Sequence, residues 1–172
     1  RALGFIARTG PASEQDRWEE DAGVKPFTLA VCIAALAAGA DFLDARAREF
    51  ALALADDWNS RIEDFTAVSG TALARRLGIE GYYVRVAPAA AFADVGALHR
   101  RLPIKNHLQE TAPPADEQVA TDALQLVRFG LRGPGDALVR DTVTAIDALL
   151  AVDTPSGRVW RRYDGDGYGE HE

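Results

Sequence analysis

The stretch Gln15-Asp16-Arg17-Trp18-Glu19-Glu20-Asp21 concentrates more potential chemistry than any other part of the chain. An indole ring offers a flat apolar face that can stack on a sugar or line a pocket. A carboxyl beside it is open to desolvation, and desolvation raises a carboxyl pKa. Asp16, Glu20 and Asp21 add like charge around Glu19, which disfavours its ionisation in the same direction. A carboxyl kept protonated near neutral pH can donate a proton to a leaving oxygen, the task of a glycosidase acid. The same residue types also occur in solvated acidic runs and in first helical turns, where the macrodipole favours negative charge.

A second group lies near the end of the chain. Between residues 154 and 172, Trp160, Tyr163 and Tyr168 alternate with Arg161, Arg162, Asp164, Asp166 and Glu170 among several glycines. Such mixtures suit sugar recognition, because rings cover C–H faces while charged groups bond pairs of hydroxyls.

The segment GPASEQDRWEEDAGVKPFTLA, residues 10–30, resembles the catalytic-acid segment of the family 15 glycoside hydrolases, the glucoamylases and glucodextranases, most closely their bacterial branch. The resemblance continues in order through Tyr82-Tyr83-Val84-Arg85, through Asp122-Ala123-Leu124-Gln125-Leu126-Val127-Arg128-Phe129-Gly130-Leu131-Arg132, and through residues 160–170. It implies that Glu19 is the general acid. Glu20 and Asp16 match residues that bind or polarise substrate beside Trp18, and Arg162 and Tyr163 match an Arg-Tyr pair that helps hold the terminal glucose. Glu170 is a further substrate-binding candidate in a region that varies among relatives.

The family inverts configuration at the anomeric carbon. An acid protonates the glycosidic oxygen while a carboxylate about 6.5–9.5 Å away activates water on the opposite face. Glu20 adjoins Glu19 and is poorly placed for the opposite face. The resemblance puts the base near the end of the family's longer catalytic domain, so residues 1–172 are expected to be a partial catalytic domain that carries the acid but not the base. The implied activity of the parent is exo-acting hydrolysis of α-glucosidic bonds in starch, maltodextrin or dextran, releasing β-D-glucose. A catalytically inactive carbohydrate-binding or scaffold relative, and a trehalase-like hydrolase, stay open. The expected partners are an α-glucan or glucose-containing oligosaccharide and the remainder of the parent catalytic domain. No metal or organic cofactor is implied.

Other chemistries find less support. Asp164-Gly165-Asp166-Gly167-Tyr168-Gly169-Glu170 lacks the EF-hand's third oxygen ligand where Tyr168 stands. The glycines there do not make the dinucleotide fingerprint, and no βα unit surrounds them. His99, His107 and His171 have no zinc-like spacing with one another or with Cys32, and no G-x-S-x-G elbow occurs. A net charge of −7 argues against a nucleic-acid partner. No apolar run reaches membrane-spanning length. The single cysteine, Cys32, excludes an internal disulfide and reads as a small core residue.

Helices must position these groups. The 172 residues, 48% hydrophobic, suffice for a real core. Residues 1–8 contain Leu3, Phe5 and Ile6 and read as a short strand. Residues 9–23 are polar and turn-rich, which puts the acidic stretch on a loop, where a rigid scaffold displays catalytic groups. Pro26 suits the first position of a helix. Residues 27–40 are apolar on every side and predict burial on every side. Residues 41–61 predict an amphipathic outer helix with Leu43, Ala47, Phe50, Leu54 and Trp58 on its buried stripe. Residues 119–130 predict a second inner helix, and 136–152 a second outer helix with Val139, Val143, Ile146 and Leu150 inward. Between the pairs, GYYVRV (81–86) reads as a strand and 102–108 as another extended piece. Alternating inner and outer helices allow any layered α-domain; the resemblance specifies a mainly α fold, part of an (α/α)6 barrel or toroid with short extended segments.

Overall fold

The computed structural model describes residues 1–15, 17–18, 21–92, 94–104 and 112–167. Its organising element is helix α2, Pro26–Gly39. Pro26 occupies the first turn, where a missing N–H costs nothing, and the run that follows contains no charged residue. Leu29, Ala30, Ile33 and Leu36 are buried and begin the core. Against α2 pack α1 (Ala2–Thr9), α3 (Ala45–Ser60) and α4 (Ile62–Thr66).

Two expectations from the sequence change here. The first residues form helix α1 rather than a strand, with Leu3 and Ile6 packed against the core. Those two are three apart and share a helical face, and the free surface of α2 rewards that face. Nor is α2 buried all round: Val31, Ala37 and Ala38 are exposed. No described element lies over that side.

Helix α3 begins at Asp44, whose carboxylate accepts from the Ala47 N–H at 2.9 Å. Its buried residues are Ala51, Ala55 and Trp58, so Trp58 belongs to the core as expected. Phe50 does not: it points away with Phe42, which is 89% exposed. Together with Leu3, Ala7, Leu36 and Leu43 these rings line an apolar groove of about 540 Å³ between α1, α2 and α3.

After α4 the chain forms β1 (Ala67–Ser69), helix α5 (Ala72–Leu77) and β2 (Gly81–Tyr83). The strands pair antiparallel, with Ala67 opposite Tyr83 and Ser69 opposite Gly81. Thr71 caps α5 by accepting from the Ala74 N–H at 3.0 Å, and Gly78 ends it in the left-handed conformation. The region 119–130 is less regular than expected. A 3-10 segment, Thr121–Leu124, leads into a single α turn, α6 (Gln125–Arg128), which packs on α2.

Helix α7, Ala137–Leu150, is the expected outer helix. It buries Val139, Ile146 and Leu150, together with Thr142 and Ala145, whereas Val143 is exposed. The Thr142 hydroxyl accepts from the Tyr83 N–H at 3.0 Å, which fixes α7 against β2. The hairpin β3 (Ala151–Thr154) and β4 (Gly157–Trp160) follows, with Ala151 opposite Trp160. The sequence had not indicated it.

Candidate functional site

The loop ahead of α2 is closed at its neck. Ser13 and Gly23 exchange two backbone hydrogen bonds of 2.9 Å, and the next residue, Val24, exchanges two of 2.8 Å with Ala87. Lys25, itself buried, donates from Nζ to the Ser13 hydroxyl at 3.0 Å. Gly23 has φ of +148°, and a Cβ there would stand 2.3 Å from the Ala87 carbonyl oxygen. So the neck is closed on itself at Ser13 and Gly23 and bound through Val24 to the segment that continues β2.

Trp18 is half-buried on this loop and packs against Ile104, Ala120 and Tyr163. Two guanidinium groups lie over its ring, those of Arg17 and Arg162, each 4.6 Å from the centroid. Arg17 also reaches Phe27 at 4.9 Å, in the first turn of α2, and Asp122 at 3.6 Å. Arg162 is held as a fork: Nε donates to Asp166 Oδ2 and Nη2 to Asp166 Oδ1, both at 2.6 Å. Tyr163, fully buried, pairs backbone with Ala120, and the Thr121 N–H donates to the Arg162 carbonyl at 3.1 Å. Trp18, Arg162 and Tyr163, singled out from far-separated positions, therefore share one cluster. Asp16, Glu19, Glu20 and Glu170 lie outside the described residues, as do His107, His171 and Tyr168.

Arg85, Gln118 and Asp166 also take part, and none of them was named as a site residue from sequence. Arg85 follows β2 with its side chain 2% exposed. Its Nη2 donates to Asp21 Oδ2 at 2.8 Å and its Nε to Gln118 Oε1 at 2.9 Å, and its guanidinium sits 5.1 Å from the Tyr163 ring centroid. The signal was there for Arg85: a charge inside the apolar run GYYVRV must find partners if that run is buried. Asp166 stands four residues from Arg162, a spacing that reads equally as loop solvation.

Elsewhere, His99 Nδ1 lies 2.7 Å from Asp116 Oδ2, a hydrogen bond that occupies this histidine. The Tyr82 hydroxyl donates to the Asp116 carbonyl beside it, and burial pushes its pKa up to about 12. Burial also raises the Cys32 thiol, a half-buried group packed against the core. Among the described residues no three His, Cys, Asp or Glu side chains gather as a metal site.

Paired helices with their polar chemistry in the connecting loops make a mainly helical layered domain, and its match to a solved glucoamylase makes it a piece of an (α/α)6 barrel. The superposition on a solved bacterial glucoamylase, a crystal structure complexed with acarbose, has a TM-score of 0.82 at 30% identity, covering 98% of this chain and 24% of that one. The chain belongs to the glycosyl hydrolases family 15, whose family model matches residues 1–172. A glucoamylase of Clostridium sp. (strain G0005) is 31% identical over 179 residues, 96% of this chain and 23% of that protein. The chain thus spans about a quarter of the length of these relatives.

Proposed function

We propose that the protein carrying this chain is an exo-acting, inverting α-glucosidase that releases β-D-glucose from the non-reducing ends of α-glucans, with Glu19 as general acid. The observation that supports this best is the convergence of Trp18, Arg162 and Tyr163, on a loop and a segment more than a hundred residues apart, within a chain of this family. Trp18 immediately precedes Glu19, so the ring that meets the Arg162–Tyr163 segment is bonded through one peptide to the residue proposed to donate the proton. The similar structure that holds acarbose supports an oligosaccharide as ligand.

In this reading Arg162 holds the terminal glucose, the buried ring of Tyr163 supports Arg162 and Trp18 from beneath, Asp166 keeps the Arg162 fork oriented, and Asp16, Glu20 and Glu170 complete the polar contacts. Glu19 gives its proton to the glycosidic oxygen as the bond breaks. A carboxylate outside residues 1–172 takes the proton from water on the opposite face of the sugar, which yields the inverted anomer. Residues 1–172 are then a part of the catalytic domain.

The test uses the full-length protein with maltose, isomaltose and trehalose, following the product anomer by NMR. Initial β-glucose from maltose or isomaltose is expected and names the linkage. Trehalose, with two glucose units, would give equal α and β products. Glu19→Gln should lower turnover by about 10²–10⁴-fold without unfolding the protein. Initial α-glucose, or near-wild-type turnover by Glu19→Gln, would sink the assignment. No release from any sugar would favour a binding or scaffold role.

A further inference from the structure

We propose that Arg85 is a positioning residue, one that ties the acid-bearing loop to the sugar-holding segment through a single buried guanidinium. Three stretches far apart in sequence meet on it. Asp21 brings the loop after Trp18, Gln118 brings the segment before the Ala120–Tyr163 bridge, and Tyr163 brings its ring. The Arg85 N–H also donates to the Gln118 carbonyl at 2.7 Å, so backbone and side chain grip the same residue.

The chemistry requires arginine here. Two donors of one rigid plane serve Asp21 and Gln118, while the face of that plane lies toward Tyr163; an ammonium group could supply the charge but not the fork or the face. Gln118 is no loose partner. Its Nε2 donates to the carbonyls of Leu102 at 3.0 Å and Pro113 at 2.9 Å, which leaves Oε1 to face Arg85. The anchor is therefore fixed before the loop meets it. Asp21 follows Glu19 by two residues, so chain connectivity alone keeps their Cα atoms within about 7 Å. Holding Asp21 restricts where the acid can stand, and the contact with Tyr163 refers that position to the segment proposed to hold the sugar. Charge is close by on every side: Arg17 and Asp122 beside Trp18, Arg162 with Asp166 beyond Tyr163. The Asp21–Arg85 pair adds no net charge to this set, so its proposed role is geometric.

This rests on the function proposed above for Glu19, and the experiment separates the two. In the full-length protein, the charge-balanced double variant Asp21→Asn with Arg85→Gln leaves no buried ion unpaired. It should fold with a Tm near that of the wild type. Its kcat should fall roughly ten- to a hundredfold, since small misplacements near reacting atoms cost that much, while KM changes by less than about threefold. The indole N–H resonance of Trp18 should shift, with those of Trp58 and Trp160 unmoved. Arg85→Lys, which keeps the charge and loses the fork, should show the same split and serves if the double variant does not fold. Wild-type kcat in either folded variant, or an unmoved Trp18 resonance, overturns the proposal. If the wild-type protein acts on no sugar, the function falls instead, and the Trp18 resonance still decides whether Arg85 positions the loop.

Discussion

Among the described residues, the arginine–carboxylate–tyrosine clusters on Arg132 and on Arg85 are built from similar parts. Arg132 donates as a fork to Glu63, Nε to Oε1 and Nη2 to Oε2, both at 2.7 Å; Nη1 and Nη2 also bond the Asn59 side chain and carbonyl at 2.9 Å each. The Tyr83 hydroxyl donates to the same Glu63 at 2.5 Å. These bonds fasten the turn after α6 to the end of α3 and to α4. In the Arg85 cluster the tyrosine contributes its ring face rather than its hydroxyl, and the carboxylate comes from a loop. The Arg132 cluster spends its hydrogen bonds on joining helices. The Arg85 cluster spends them on holding the loop after Trp18, with the face of Tyr163 beside the guanidinium. Equal chemistry thus does different work according to whether its carboxylate sits on a helix or on a loop.

The difference can be broken from either side. Gly23→Ala attacks the loop neck without touching a charge. A Cβ at 2.3 Å from the Ala87 carbonyl, on a backbone at φ +148°, forces the neck open. A loss of about 2–3 kcal/mol in chemical denaturation is expected, with turnover falling further than stability explains. Preserved turnover would detach the neck from the site.

Glu63→Gln attacks the other cluster. Burial pushes the Glu63 pKa up, but hydrogen bonds from Arg132 and Tyr83 and the Arg132 charge outweigh it, and the net pKa lies below the ordinary 4.5. The folded state therefore binds this proton less readily than the unfolded chain does. The contribution is complete above pH 4.5 and is lost as pH falls through the folded value. The carboxylate is 39% exposed, so screening reduces the effect. A cost of about 1–2 kcal/mol near neutral pH is expected, narrowing on acidification, with kcat unchanged. A gap that stays constant down to pH 3 would contradict the assignment.

The smallest effect serves as reference. Asp136 caps α7 by accepting from the Val139 N–H at 3.1 Å. Asp136→Ala should cost about 1 kcal/mol, read by the same denaturation curves, and should alter neither cluster.

Local signals made much of this legible. Pro26 and the apolar run after it gave α2, and the stripe of Val139, Val143, Ile146 and Leu150 gave α7. The hairpin after α7 escaped because β4 is exposed throughout, so no burial alternation marks it; its turn is held by the Thr154 hydroxyl donating to the Gly157 carbonyl at 2.7 Å. The helix expected over 119–130 shrank because Ala120 pairs with Tyr163 as extended backbone, a partner forty-three residues away. The site divided in the same way. Trp18, Arg162 and Tyr163 were readable as residue types in a family pattern. Arg85 was legible only as a charge inside an apolar run that had to find partners; which ones was not, since Asp21 and Gln118 lie 64 and 33 residues off, and no local window contains such a pair.

Those separations also set an order of assembly. The Arg162–Asp166 fork closes over 4 residues, whereas Arg85 meets Asp21 across 64. Loop-closure entropy makes the longer contact costlier by about 2.5 kcal/mol. The Arg162–Asp166 fork can take its shape as soon as its own few residues are synthesised. The loop that Asp21 anchors must wait for β2, for the 113–118 segment and for Tyr163. A chain built this way fixes the Trp18 loop last, when the scaffold around it is already closed.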